Sequence, residues 1–213
     1  MRQLFMIVLA LSLFATAASA TDLIITGVCD GPITGGIPKA IEVKACADIA
    51  DLSIYGISSA NNGGGPTGAP EFTFPADSAV EGQYIYIASE DVAFPDFFGF
   101  APDYTSGMAL INGDDAIELF MNGGVVDVFG DVDVDGSGTA WDYQDGWAYR
   151  IDQTGPDGST FVLANWTYSG VNGLEGGTTN DTCTVPFPLG TYECPGASAI
   201  DATTWGMMKA LYR

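Results

Sequence analysis

The chain has 213 residues, with 27 acidic against six basic side chains, no histidine and a formal net charge of −21. A surface of this charge repels nucleic-acid phosphates and anionic lipid headgroups, so no direct binding to nucleic acid is expected. It also attracts cations, although an acidic surface serves general solubility as well. The chain has no histidine that could act in a catalytic triad, as a general base or as a metal ligand.

The first twenty residues have the pattern of a secretory signal peptide. Arg2 precedes an apolar run over 4–14, and Ala18-Ser19-Ala20 supplies a cleavage site. The apolar run is short for a membrane span, and no later segment is long and apolar enough for one. We expect cleavage before Thr21 and export to an oxidising environment, outside the cell or at its surface. The alternative is a buried N-terminal helix.

Short apolar or alternating runs separated by Gly, Pro, Asn and Asp dominate the rest of the chain. Their lengths and their β-branched and aromatic content predict strands. The predicted strands are residues 23–28, 40–47, 52–57, 71–74, 83–88, 116–120, 125–129, 147–151 and 161–168. Asn122-Gly123 predicts a tight hairpin, because both residues tolerate positive φ, and the Phe-rich stretch 91–100 suggests a helical turn. The expected fold is all-β, an antiparallel sandwich.

Four cysteines in an exported chain indicate two disulfides, for which three pairings are possible. Cys29 and Cys46 lie in the first two predicted strands, and Cys183 and Cys194 lie in a Pro- and Gly-rich segment. We therefore expect Cys29–Cys46 and Cys183–Cys194. A zinc site is the alternative, but the cysteines lack Cys-x-x-Cys spacing.

Several stretches of residues 22–152 together resemble the lamin tail domain superfamily. They are Leu23-Ile24-Ile25-Thr26, Ala40-Ile41-Glu42-Val43, Asp51-Leu52-Ser53-Ile54-Tyr55, Gly113-Asp114-Asp115-Ala116-Ile117-Glu118-Leu119 and Val125-Val126-Asp127. The resemblance implies an immunoglobulin-like β-sandwich that acts as a binding or structural module rather than an enzyme. We expect the sandwich over 21–169, a loop-rich, disulfide-stapled extension over 170–196, and a linker with a short tail over 197–213.

A run of aspartates between two predicted strands is the best candidate for chemistry. Carboxylates at positions 1, 3, 5 and 12, with Gly136 at position 6, match the spacing of a calcium-binding loop. The predicted ligands are Asp131, Asp133, Asp135, Ser137, Thr139 and Asp142. Position 12 is Asp rather than Glu, and the flanking segments are not helical, so a helix–loop–helix calcium site is not expected. The alternative is a solvated turn in which aspartates bind their own backbone.

Four aromatic residues alternate just after this loop: Trp141, Tyr143, Trp147 and Tyr149. Rings at period two line one strand face, where they stack on sugar rings in a carbohydrate-binding surface. Residues in such a pattern more often occupy core or cross-strand positions.

These features together predict a secreted, non-catalytic binding, adhesion or surface-structural module, stabilised by calcium, with a protein or polysaccharide ligand. The other class is an extracellular carboxylate-based hydrolase of the glycosidase kind. Nothing in the sequence marks one pair of carboxylates for that reaction.

Overall fold

The computed structural model describes residues 21–196. Residues 1–20 and 197–213, which hold the predicted signal peptide, linker and tail, lie outside the described residues. Ten strands and one short helix, α1 at Ala93–Phe98, make up the described chain. The strands are β1 Leu23–Ile33, β2 Ile37–Ala45, β3 Tyr55–Ala60, β4 Phe72–Thr73, β5 Tyr84–Ala88, β6 Tyr104–Thr105, β7 Ala116–Met121, β8 Gly124–Phe129, β9 Trp147–Arg150 and β10 Trp166–Tyr168.

The strands form two sheets, which confirms the expected all-β fold. The larger sheet has the order β10-β9-β1-β2-β5-β6, and the smaller has the order β4-β3-β7-β8. Every pairing is antiparallel except that between β5 and β6. No helix among residues 21–196 is long and apolar enough to cross a membrane.

Two hairpins set the register of the sheets. Asn122 (φ 52°) and Gly123 (φ 81°) join β7 to β8, and this confirms the hairpin predicted from the sequence. Gly35 and Gly36, also at positive φ, join β1 to β2, which extend closer to this turn than the predicted strands 23–28 and 40–47. The predicted strand over 52–57 begins instead with a 3-10 turn at Leu52–Ile54, because the Asp51 carboxylate accepts a hydrogen bond from the Ser53 N–H.

A first apolar core fills the space between the two sheets. It includes Leu23, Ile25, Val43, Ile117 and Phe129, which are all fully buried. Because side chains alternate across a strand, Ile24 and Cys29 point to the opposite face of the larger sheet. That outer face is buried as well, so the larger sheet needs a second cover.

The cover consists of α1 and the segment 170–196, which we call the C-terminal strap. Phe187 of the strap packs its ring against Tyr149 at 5.4 Å and against Phe98 of α1 at 6.0 Å. The strap consists of turns, with one 3-10 turn at Asn180–Thr182. The described chain thus has three layers: the smaller sheet, the larger sheet, and the strap with α1.

One disulfide, Cys46–Cys194, fastens the end of the strap beside the end of β2. The expected pairings Cys29–Cys46 and Cys183–Cys194 are wrong. The physical reason is that the strap runs back across the larger sheet, which brings Cys194 to Cys46 over a sequence separation of 148 residues. Cys29 and Cys183 are free thiols, and both are buried.

A buried charge network ties β1, β8 and β9 together. Arg150 Nη2 donates to both carboxylate oxygens of Asp127 at 2.8 Å, and Nη1 donates to Asp157 at 3.2 Å. Arg150 Nε donates to the Ile25 carbonyl at 2.6 Å, and its guanidinium lies 4.3 Å from the Trp166 ring. The Arg150 and Asp127 side chains are fully buried. Their charges therefore serve the fold rather than an exposed site.

Candidate functional site

The predicted aspartate loop, residues 131–142, connects β8 of the smaller sheet to β9 of the larger one. It packs against a second loop, residues 61–68, which we call the glycine loop. The Gly65 N–H donates to the Val132 carbonyl at 2.9 Å. A Cβ at Gly63 would lie 2.5 Å from the Asp135 nitrogen, so only glycine allows this close approach of the two backbones. The two loops form one surface at this end of the sandwich.

The aspartate carboxylates of the loop accept hydrogen bonds from backbone N–H groups nearby in the chain and so stabilise turns. Asp131 Oδ1 accepts from the Asp133 N–H at 3.1 Å, and Asp135 Oδ1 accepts from the Ser137 N–H at 2.9 Å. Asp142 accepts from the N–H groups of Gly138 and Gln144, at 2.6 and 3.1 Å. This is the Asx-turn arrangement that the sequence offered as the alternative to a metal loop.

Thr139 and Gly136 also have local roles. Thr139 Oγ1 donates to the Gly136 carbonyl at 2.7 Å. A Cβ at Gly136 would lie 2.5 Å from the Trp141 ring and 2.7 Å from the Asp114 carbonyl oxygen. Position 136 therefore requires glycine because the loop closes over Trp141.

The predicted ligands do not converge on a shared metal position in this structure. Within residues 21–196, no group of three or more His, Cys, Asp or Glu side chains is placed to hold a metal ion. The loop does bring Asp135 and Asp142 near Asp114, which the sequence argument did not single out as a ligand. Desolvation, with repulsion from Asp115, Asp135 and Asp142, raises the pKa of Asp114. Calcium binding by the loop stays a prediction.

Two open clefts flank the contact between the loops. The cleft beside the aspartate loop has a volume of about 240 Å³. Its lining includes Asp131, Asp133, Ser159, Thr160 and the half-buried Phe161, together with Val128, Gly130 and Val132. The other, of about 490 Å³, is the larger of the two. It is lined by Asn61, Glu71, Ser106, Gly107, Met108 and Leu110.

The four alternating aromatic residues lie in the interior, which corrects the hypothesis that they stack on a ligand. Their exposed fractions are 5% for Trp141, 0% for Tyr143, 7% for Trp147 and 4% for Tyr149. The first two pack between the sheets, and the last two lie under the strap. Trp147 and Tyr149 are buried because the strap covers the outer face of β9, whereas Trp141 and Tyr143 precede β9 and pack against Phe129.

Two acidic residues in the stretch that resembles the lamin tail domain, Asp115 and Glu118, accept hydrogen bonds from nearby loops. Asp115 accepts from the N–H groups of Asn62 and Asn112, at 3.0 and 2.9 Å. Glu118 accepts from the Thr67 N–H at 2.8 Å and from its hydroxyl at 2.9 Å. Asp115, just before β7, and Glu118 of β7 thus hold the glycine loop against the smaller sheet.

Several residues of the site escaped the sequence argument. Ser159, Thr160 and Phe161 reach the aspartate loop from the connection between β9 and β10, and Glu71 reaches the larger cleft from the segment just before β4. No local spacing joins these positions to the loop. The turn residues Gly155 to Gly158 were the one available signal that the chain reverses before Ser159.

Comparison with known proteins adds no family assignment: no family model, curated protein or solved structure matches the chain.

Proposed function

We propose that the chain is an extracellular, non-catalytic binding module with an immunoglobulin-like sandwich of the lamin tail type. Its ligand site is the cleft beside the aspartate loop, which packs against the glycine loop. The observation that carries the proposal is the cleft that joins Asp131, Asp133, Ser159, Thr160 and Phe161 on a rigid framework. Carboxylate acceptors, hydroxyls and one ring face suit a ligand rich in hydroxyl groups, such as a polysaccharide.

Rigidity of the loops supports a binding role. The glycine loop is held by the buried carboxylates of Asp115, just before β7, and Glu118 of β7, and the aspartate loop by its own Asx turns. A pre-formed site loses little conformational entropy on binding, which favours affinity.

Charge narrows the class of ligand. The net charge of −21 and the exposed aspartates at the cleft repel phosphate- and carboxylate-rich polymers. A neutral polysaccharide, or an extracellular protein segment that carries lysine and arginine, meets no such repulsion. We place the neutral polysaccharide first, because the cleft offers hydrogen-bond acceptors and hydroxyls beside a ring.

The test is affinity electrophoresis in native gels that contain one neutral polysaccharide each, such as hydroxyethylcellulose, laminarin or soluble starch. We expect at least one of them to retard the chain. Asp133→Asn and Phe161→Ala should weaken the retardation by about tenfold, which corresponds to ~1.4 kcal/mol of binding free energy. Asp91→Asn changes one exposed carboxylate outside both clefts and serves as the charge-matched control. Equal mobility of all variants in every gel would contradict the proposal.

The same panel separates the module from the hydrolase alternative, for which Asp131 and Asp133 in one cleft are the relevant pair. If the protein releases reducing ends from a polysaccharide and Asp133→Asn abolishes that release, the protein is a hydrolase rather than a binding module. Saturable retardation without release of reducing ends supports the module.

We further propose that calcium stabilises the aspartate loop. Clustered carboxylates around Asp114, Asp135 and Asp142 repel one another, and a divalent cation would relieve that repulsion. With a Kd near 0.1 mM, 10 mM calcium would raise the free energy of unfolding by about 2.7 kcal/mol. Thermal melts in calcium and in chelator measure this. An unchanged melting temperature, or an equal shift in an Asp133→Ala, Asp135→Ala variant, would refute it.

A further inference from the structure

We propose that Cys29 and Cys183 form a second disulfide, which fixes the middle of the C-terminal strap to β1. The known bridge, Cys46–Cys194, fastens only the end of the strap. Two bridges would make the strap a covalently attached third layer of the fold.

The sheet register places the Cys29 side chain beneath the strap. Cys29 pairs with Ala40 of β2 on one side and with Trp147 of β9 on the other. Residues directly opposite in neighbouring strands point to the same face, so all three face the strap. Ala40 and Trp147 belong to the same buried cluster as Cys29.

The strap crosses the sheet at this place. The indole Nε1–H of Trp147 donates to the carbonyl of Val185 at 2.8 Å, only two residues along the strap from Cys183. Cys29, Trp147 and Cys183 are members of one buried apolar cluster, with exposed fractions of 0%, 7% and 7%. Cys29 thus points outward from the sheet and Cys183 is buried in the strap that covers it.

Glycine provides room for the Cys183 thiol. A Cβ at Gly177 would overlap Cys183 Sγ, so the fold of the strap around Cys183 depends on the absence of a side chain there. Burial raises the pKa of the Cys29 thiol, and Asp30 and Cys183 raise it further by charge repulsion. A thiol that is neutral and buried reacts slowly with external reagents, so the exchange with the oxidant takes place during folding, before the strap covers Cys29.

The reaction needs an oxidant of the disulfide class, such as an exported thiol–disulfide oxidoreductase or oxidised glutathione. A bond forms between Cys29 Sγ and Cys183 Sγ, both thiols lose their protons, and the electron pair reduces the oxidant's disulfide to two thiols. The location of the chain in an oxidising environment, as the signal-like N-terminus predicts, would supply such an oxidant.

The test is disulfide mapping of the full chain, purified after export and, in parallel, refolded from the reduced, denatured state with reduced and oxidised glutathione. The protein is denatured without reductant, alkylated with iodoacetamide and digested under acid conditions. We expect a linked peptide pair that contains Cys29 and Cys183, no alkylated cysteine, and an intact mass lower than that of the fully reduced chain by ~2 Da per bridge.

Two variants serve as controls. A Cys46→Ser, Cys194→Ser variant should keep the Cys29–Cys183 link, and Cys29→Ser should leave Cys183 fully alkylated. Alkyl groups or glutathione on both Cys29 and Cys183, beside an intact Cys46–Cys194 bridge, would overturn the proposal. The mapping is done on the unmodified chain, so it holds even where a variant fails to fold.

Discussion

Removal of the Asp127 carboxylate should destabilise the fold more than any comparable change at the surface. Asp127→Ala leaves the guanidinium of Arg150 with one carboxylate partner, Asp157 at 3.2 Å, in a fully buried position. Breaking a buried pair in this way costs about 3–5 kcal/mol. Asp127 also accepts from the N–H groups of Ile25, Val128 and Asp157, at 2.9, 3.0 and 2.9 Å. Each of these buried donors, left unsatisfied, costs a further ~1–3 kcal/mol unless water enters.

The sum approaches the whole stability of a typical domain, about 5–15 kcal/mol, so Asp127→Ala should leave the chain largely unfolded near room temperature. Urea unfolding followed by tryptophan fluorescence measures this, because Trp166 lies against the guanidinium. Asp51→Asn, which alters an exposed cap, is the control and should change stability by no more than ~1 kcal/mol. A double variant, Asp127→Ala with Arg150→Met, should be more stable than the single Asp127→Ala because it removes the unpaired charge. The reasoning fails if Asp127→Ala behaves like Asp51→Asn, or if the double variant is the less stable one.

Three further perturbations test other layers of the fold. Burial raises the pKa of Glu42 from 4.5, even though Thr26, Gly190 and Tyr149 donate to its carboxylate. The folded state therefore binds the proton more tightly than the unfolded state does. The free energy of unfolding should thus fall as the pH rises from below 4.5 through the raised pKa. Melting temperatures across that range measure the slope, and Glu42→Gln should flatten it; an unchanged slope would show that Glu42 is not responsible. Replacing Cys46 and Cys194 with serine should lower the free energy of unfolding by about 5 kcal/mol in the chain-entropy model, because the bridge joins residues 148 positions apart. Urea titration measures this loss, and a value below ~1 kcal/mol would contradict the model. Gly27→Ala should lower the free energy of unfolding by ~1–3 kcal/mol, because its Cβ would lie 2.6 Å from the Phe187 ring and 2.8 Å from the Tyr149 ring. Gly107→Ala is the control: its Cβ has no described atom within 4 Å, so the melting temperature should stay nearly unchanged. Equal effects of the two substitutions would refute this packing of the strap.

Most strands could be predicted because their signals are local. Alternation and chain-reversing residues set the β7–β8 hairpin, and Asn122-Gly123 alone gave its turn. The two-residue strand β6 could not be found this way. Tyr104 and Thr105 form a strand only because they pair with β5, and a segment of two residues has no sequence pattern that indicates such a partner.

The aspartate loop was found by its spacing, but spacing did not determine the direction of its carboxylates. The same positions serve a calcium loop when their oxygens converge, and a chain of Asx turns when each binds the amide two residues ahead. Asp131 and Asp135 do the latter. The choice depends on backbone angles and on neighbours such as Asp114, which belongs to a different part of the chain.

The wrong cysteine pairing and the alternative of an exposed aromatic face both leave out the third layer. The strap has no alternation of its own, so nothing in its sequence indicates a surface that covers a sheet. The signal was in the strands that it covers: 23–28 and 147–151 are nearly continuous apolar runs rather than half-polar alternations. Such runs are typical of strands buried on both faces. A sheet in which β1 and β9 are buried on both faces therefore requires a cover on each side, and the Cys- and aromatic-containing segment after residue 170 provides one of them.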